Sequence, residues 1–305
     1  MFTRRTFQDA SEQEAALPGW QQRYTHLSSG RFEGEVALLR LGGVMLMREQ
    51  MNVSTEQRYL PPANNLVLFS HAATSGGFYV HGAHYPGRSI GFDYSQDEGL
   101  IVTSPQADMM MLVVDAAPFA ANLQRSIGVF APQTGQRARD LFTWLGTLLH
   151  MYARAEPAQP APAMPDEARA LLPDLIQDRL TLLLDGMDGQ PAGSMREEPR
   201  LYGRCVEWLE AHANAPVTVS ELAAALDVPH ERLRAACLYA TGHKLDAILM
   251  LHRLNGARRA LLAARETRRK VSDVALDWGF FHWGRFAGRY HALFGETPSQ
   301  TIRAA

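Results

Sequence analysis

Val271 to Ser299 reads VSDVALDWGFFHWGRFAGRYHALFGETPS. Its first half has apolar Val274, Ala275 and Trp278 at helical spacing. Gly279 follows, a residue that takes positive φ at no steric cost, as a tight turn between two helices requires. Phe280 can pack back into the bend. A second helix is predicted from about His282 to Leu293. Phe286, Tyr290 and Leu293 repeat at spacings of four and three, so they form one apolar stripe. Trp283, Arg285, Ala287 and Arg289 fall on the opposite face. Gly295 ends the helix and Pro298 starts another short one. Helix, glycine turn, then helix with a basic and aromatic outer face is the pattern of a DNA-reading helix-turn-helix. The competing reading is a helical hairpin with a solvated basic face.

A second unit of the same kind precedes it. Thr218 and Glu221 make a capping box for a helix carrying Leu222, Ala223 and Leu226. Asp227 occupies the turn, and a further helix runs from about Pro229 to Tyr239, closed by Gly242. A long helix from Leu245 to about Ala264 joins the two units. Upstream, Leu201, Cys205, Trp208 and Leu209 mark one more helix face.

The rest of the chain differs in character. Residues 1–115 read as short strands, among them Phe32 to Leu41, Val44 to Met51, Leu66 to Ser70, Phe78 to Val80 and Met109 to Val114. Gly42-Gly43, Gly76-Gly77 and Pro86-Gly87 supply turns. Many short strands with glycine turns imply a sandwich or barrel, and a small barrel can hold one small ligand. Residues 116–186 turn helical, with Leu141, Trp144, Leu145, Leu148, Leu149 and Tyr152 on one stripe. That stripe packs on the barrel or forms a dimer interface. Residues 156–165 are a Pro/Ala-rich spacer. The expected fold class is therefore α+β: a β-rich, barrel-like sensor domain with helices over 1–190, then an all-α domain of two helix-turn-helix units over 200–305.

Charge follows the same division. Residues 200–305 hold 15 Lys and Arg against 10 Asp and Glu, while residues 1–199 hold 15 against 22. A basic C-terminal third suits a polyanionic partner. The hydrophobic fraction of 46% supports a real core. Two cysteines exclude a disulfide framework and fit a reducing cytoplasm. No apolar run is long enough for a membrane span. Arg4-Arg5 is followed by polar and acidic residues where an export signal needs apolar ones.

Two helix-turn-helix units on one long helix, after a β-rich domain, resemble the AraC/XylS family of bacterial transcription regulators. Thr218 to Leu226 looks like the family's first scaffold helix. Arg253-Leu254-Asn255, Ala257-Arg258 and Leu261-Leu262 match its joining-helix signature. Val274-Ala275, Trp278-Gly279-Phe280, Phe286, Phe294-Gly295 and Thr297-Pro298 match its second motif. About 100 residues are covered. Within the family, GFFHWGRFAGRYHALFGETPS and Ala16 to Glu35 are similar to regulators of the ethanolamine-utilisation operon. The chain departs from the family pattern at Asp227, where glycine is usual, and at Pro229, Glu231, Ala235, Cys237 and Lys244-Leu245.

The resemblance implies a cytoplasmic, non-enzymatic, ligand-responsive activator of an amine or alcohol catabolic operon. Its expected partners are operator DNA, RNA polymerase, a small effector such as ethanolamine or a related amine or alcohol, and a second copy in a homodimer. Cobalamin is a further cofactor candidate by the same resemblance. The residues expected at DNA are His230, Glu231 and Arg234 in the first unit, and His282, Trp283, Arg285 and Arg289 in the second. Arginine can bond O6 and N7 of guanine together. Arg258, Arg259, Arg268, Arg269 and Lys270 are expected on phosphates. Trp20, Glu49, Phe78 and Tyr79 are the candidates for the effector. His71, His81 and His84 lack a carboxylate in register, so no metal site is expected. The alternative is a barrel enzyme fused to a DNA-binding tail, but no nucleophile elbow or phosphate loop appears.

Overall fold

The computed structural model describes residues 1–73, 78–80, 83–85, 89–94, 97–119, 127–129, 132–153, 165–185, 197–212, 217–267 and 269–303. Twelve strands and ten α-helices are described: β1 (Phe2–Phe7), α1 (Ala10–Glu14), β2 (Gln21–His26), β3 (Gly34–Leu41), β4 (Val44–Met51), β5 (Thr55–Leu60), β6 (Asn65–Ala73), β7 (Phe78–Val80), β8 (Ala83–Tyr85), β9 (Ser89–Asp93), β10 (Gly99–Val102), β11 (Ala107–Asp115), β12 (Ile127–Val129), α2 (Pro132–Ala153), α3 (Asp166–Asp185), α4 (Glu197–Ala211), α5 (Val219–Leu226), α6 (His230–Thr241), α7 (Leu245–Thr267), α8 (Val271–Asp277), α9 (Trp283–Phe294) and α10 (Pro298–Arg303).

The strands form two antiparallel sheets rather than one closed barrel. One has seven strands in the order β1-β3-β4-β11-β6-β9-β12, the other five in the order β2-β5-β10-β7-β8. Among the described residues no strand pairs across from one sheet to the other. The barrel-like expectation is corrected to an open sandwich. A twisted sheet this wide splits into two packed layers more readily than it closes.

Side-chain alternation builds both faces of the larger sheet. Leu39, Leu46, Leu68 and Leu112 point outward onto Leu145 and Leu148 of α2 and Ile176 and Leu180 of α3. Val36, Met47, Met109 and Val113 point inward with Leu17, Tyr24 and Phe32. The helical stripe around Leu145 is therefore spent on the sheet. On α3, Leu171 and Leu182 stay exposed. That helix starts at Asp166 and carries Pro173 inside it.

The smaller sheet is covered by the C-terminal half. Leu27 and Val102 join Leu201, Tyr202, Leu233 and Ile248 in one core. A separate core, with Leu254, Ala257 and Leu261 of α7 at its centre, holds the second helix-turn-helix unit. No described helix is long and apolar enough to cross a membrane.

Candidate nucleic-acid interface and effector cavity

In the first unit Thr218 accepts from Glu221 N at 3.2 Å and the Glu221 carboxylate accepts from Thr218 N at 2.8 Å, completing the capping box. Asp227 holds the turn at φ 54°, the left-handed region that glycine would occupy more cheaply. Pro229 precedes α6 with no side-chain cap bond. On α6, Leu233, Ala236 and Cys237 are buried and His230, Glu231, Arg234 and Leu238 are exposed. Arg234 lies 4.0 Å from Asp246, both well exposed. Burial lifts the Cys237 thiol to about 12, which leaves it inert packing.

The second unit turns at Gly279, φ 70°. Arg253 of α7 clamps that turn, donating from Nε to Trp278 O at 3.1 Å and from Nη2 to Gly279 O at 2.5 Å. Its guanidinium also lies 4.5 Å from the Phe280 ring centre. Phe280, Phe286, Tyr290 and Phe294 follow as a chain of ring contacts at 4.7, 5.6 and 4.6 Å. This packing fixes α9 and leaves Phe281, His282, Trp283, Arg285 and Arg289 exposed. Phe281, at 65% exposure, was not among the expected contacts.

The five cations expected on phosphates divide. Lys270 is exposed, Arg269 is exposed but paired with Asp277, and Arg268 lies outside the described residues. Arg258 and Arg259 do not lie on the outer face, and their expected placement is corrected. Arg258 Nε donates to Asp9 at 2.6 Å and its Nη1 to Glu296 at 2.8 Å. Arg259 bonds Tyr24 O and Glu14, the latter at 3.2 Å. Both sit in a seam between α7 and the N-terminal β-rich half. Asn255 exchanges two 2.9 Å bonds with the backbone of His26 in the same seam. Tyr202 donates to Glu56, and His252 lies 3.5 Å from the same carboxylate. Gly30 N donates to Leu293 O at 2.9 Å.

A second feature lies between the sheets. Glu49, Met109 and His71 are neighbours in register across β4, β11 and β6, all aimed inward. With Trp20, Tyr59, Phe78 and Asp93 they line a cavity of about 30 Å³, against roughly 10–15 Å³ for one ordered water. His71 stacks on Phe78 at 4.1 Å, and neither ring nitrogen has a partner among the described residues. Burial drops its pKa to about 4, so the ring is neutral. Trp20 Nε1 is likewise buried without a partner. Tyr59 donates to Asp93 at 2.9 Å. Burial raises the Glu49 carboxyl, while bonds from Tyr24 and Gln13 pull it partly back. Among the described residues the lining holds two carboxylates, Glu49 and Asp93, and no Lys or Arg.

Of the effector candidates, Trp20, Glu49 and Phe78 line this cavity. Tyr79 does not; its hydroxyl packs against Gly242 at the end of α6. His71, Asp93, Tyr59 and Met109 were not singled out for the effector. His71 had been weighed only as a metal ligand, and the pairing of β4, β11 and β6 is the signal that places it opposite Glu49. His81 lies outside the described residues, and among those described no group of three His, Cys, Asp or Glu is placed to hold a metal ion.

Two helix-turn-helix units on one rigid helix, each with an exposed face of histidine, arginine and apolar side chains, define a DNA-binding domain. A helix-turn-helix domain family matches residues 222–304. A probable thc operon regulatory protein of Rhodococcus erythropolis is 36% identical over 105 residues, 34% of this chain and 32% of that protein. The XylDLEGF operon transcriptional activator 2 of Pseudomonas putida is 30% identical over 101 residues, 33% of this chain and 64% of that protein. A probable AraC family transcriptional regulator from Rhodopseudomonas palustris CGA009, of known structure, is 30% identical over 34% of this chain and 95% of its own, with a TM-score of 0.31. The chain spans less than two thirds of the length of the first two relatives. The C-terminal third is thus a helix-turn-helix domain similar to those of AraC/XylS-type transcriptional regulators.

Proposed function

We propose that the protein is an effector-responsive, sequence-specific DNA-binding regulator that activates a catabolic operon for a small amine or alcohol. The observation that carries this reading is the pairing of two outward helices with a polar cavity in one chain. Residues 200–305 read the operator through Arg285, Trp283, Arg289 and His282 of the second unit, and Arg234, His230 and Glu231 of the first. Lys270 and Arg269 hold phosphates. Residues 1–190 sense the effector and pair two copies through the exposed leucines of α3. RNA polymerase is the expected downstream partner, and the setting is the cytoplasm.

The cavity chemistry supports an amine or alcohol. Two carboxylates and aromatic rings, with no Lys or Arg among the described lining residues, favour a cation or a hydroxyl donor over an acid. Ethanolamine heads the list by the sequence resemblance. Cobalamin, implied only by the sequence resemblance, draws no support from the described lining residues. The enzyme reading has no specific observation in its favour. The test is selection of bound sequences from random DNA, then titration with and without ethanolamine. Failure to enrich any sequence refutes the regulator reading. Enrichment with no response to amines or alcohols refutes only the effector class.

A further inference from the structure

The outward face of the larger sheet changes character towards one end. Along that face β4 carries Leu46 and then Arg48, β6 carries Leu68 and then Ser70, and β11 carries Leu112, Met110 and then Asp108. Arg48, Met110, Ser70 and Ile90 stand side by side in register across β4, β11, β6 and β9. The helix α2 crosses this end with Arg139, Phe142 and Thr143 and leaves a cleft of about 240 Å³ between helix and sheet. Gly146 brings the helix close, since a Cβ there would lie 3.1 Å from Met110 Cε. The cleft is on the opposite side of the sheet from the cavity around His71. All of its described lining residues belong to β4, β6, β9, β11 and α2.

Charges of both signs meet an apolar floor here. Arg48 donates to Asp108 as a fork, from Nε at 2.8 Å and from Nη2 at 2.6 Å. The fork takes one lone pair of each carboxylate oxygen and leaves the others able to accept. Both side chains are partly open to solvent, at 40% and 28% exposure. Asp108 is the single carboxylate among the described lining residues. On the helix wall Arg139 donates to the neutral Gln136, from Nε at 3.2 Å and from Nη2 at 2.9 Å, and has no carboxylate partner among the described residues. Met110, Ile90 and Phe142 supply the apolar surface between the two walls.

We propose that this cleft binds a single α-amino acid with an apolar side chain. Its ammonium meets Asp108, its carboxylate meets Arg139, and its side chain lies over Met110 and Ile90. The planar guanidinium suits a carboxylate, and the free lone pairs of Asp108 suit a three-donor ammonium. A ligand with one charge would satisfy one wall and desolvate the other without repayment, so the site discriminates by requiring both. The volume falls below the roughly 300–1,000 Å³ of pockets for drug-sized molecules, which favours one small zwitterion over a peptide. The bound amino acid touches β11 and α2 at once and holds the helix on the sheet.

The test titrates the full chain with L-leucine, read by thermal shift and by calorimetry. The expected result is a saturable rise in melting temperature with a dissociation constant of about 1 mM or below. Neither 4-methylpentanoate, which lacks the ammonium, nor 3-methylbutylamine, which lacks the carboxylate, should match it. Arg139 is exposed, so Arg139→Gln should fold normally and weaken leucine about tenfold. Thr143→Leu, also at an exposed position, should fill the cleft and weaken leucine with no charge lost. Asp108→Asn should bind 4-methylpentanoate as well as it binds leucine. Melting without ligand is the folding control, and Arg139→Gln decides alone where Asp108→Asn does not fold. Saturating ethanolamine should leave the leucine titration unchanged, which separates this site from the intersheet cavity. No saturable shift up to about 20 mM leucine, equal binding of either single-charge analogue, unchanged affinity in Arg139→Gln, or competition by ethanolamine would each overturn the proposal.

Discussion

Replacing Asp9 by asparagine should remove one charge from the seam and little else. Asparagine keeps the shape and an oxygen that can accept from Ser11 N, now at 2.8 Å, so the cap on α1 survives. What is lost is the ion pair with Arg258 Nε at 2.6 Å. The two side chains are 8% and 13% exposed, so solvent screens them little. Removing one partner of a buried pair commonly costs about 3–5 kcal/mol because the other charge is left alone. Arg258 keeps Glu296 at 2.8 Å and the Tyr290 hydroxyl at 3.3 Å, so the loss should be smaller, about 2 kcal/mol. The assay is a double-mutant cycle of Asp9→Asn with Arg258→Gln in urea unfolding. A coupling of about 1.5–3 kcal/mol is expected. A coupling below about 0.5 kcal/mol would refute the claim that this pair fastens sensor to joining helix. Acid supplies a second readout. Burial alone would raise the Asp9 carboxyl, but Arg258 and Ser11 override it and leave it below its ordinary value. A depressed carboxyl contributes stability above its unfolded pKa and loses it as pH falls through the folded one. The wild type should therefore lose stability below about pH 4 that Asp9→Asn has already lost.

The other expectations concern DNA and pH. Arg285→Ala should cost about 1–3 kcal/mol and relax preference at one base pair, with Arg234→Ala costing less, in titrations against single-base operator variants at fixed salt. Uniform weakening by Arg285→Ala with relaxed specificity in Arg234→Ala would reverse those roles. Lys270→Ala should weaken binding to all sequences and lower the slope of affinity against salt by about 1, while Arg258→Gln leaves the slope unchanged. The neutral His71 refuses a proton that the unfolded chain takes, so stability should fall between about pH 6.5 and pH 4. Urea unfolding of His71→Phe should show a flatter dependence in that window; an identical slope would mean that His71 titrates normally.

What the sequence disclosed was local. Gly279, the Phe286-Tyr290-Leu293 spacing and the Thr218-Glu221 box each specify their conformation within a few residues, and the units they define are present as expected. The strand β5, TEQRYL, gave no such signal. Thr55 to Tyr59 are all buried, yet Glu56, Gln57 and Arg58 look like a surface. Their partners come from elsewhere: Tyr202 and His252 for Glu56, Glu98 and Glu210 for Arg58. A polar run can be interior only when distant residues complete it. Arg258 and Arg259 failed for the same reason. Their seam partners Asp9 and Tyr24 lie 249 and 235 residues away. At the cavity, Phe78 and Tyr79 could not both be lining residues, because neighbours on a strand face opposite ways.

The joining helix explains why its arginines are not free for DNA. Leu245 and Ile248 enter the core of the first unit, and Leu254, Ala257 and Leu261 enter that of the second. Asn255, Arg258 and Arg259 meet the sensor on a third side. A helix occupied on three sides has no wide polar face to offer a duplex. On the proposed reading, DNA contact falls to α6, α9 and the cations at Arg269 and Lys270. The same geometry joins the N-terminal half to the first unit by way of α4 and to the second unit directly. Glu56 bonds Tyr202 beside the first unit, and Gly30 bonds Leu293 in the last turn of α9. Gly295, at φ 67°, closes α9 where an added Cβ would lie 2.9 Å from Arg31 N, so the sensor backbone reaches the end of the second recognition helix. A shift of β2 against β5 would pull on these ties unequally. It would alter the separation of α6 and α9 before it altered either helix, which is the quantity that successive major grooves measure.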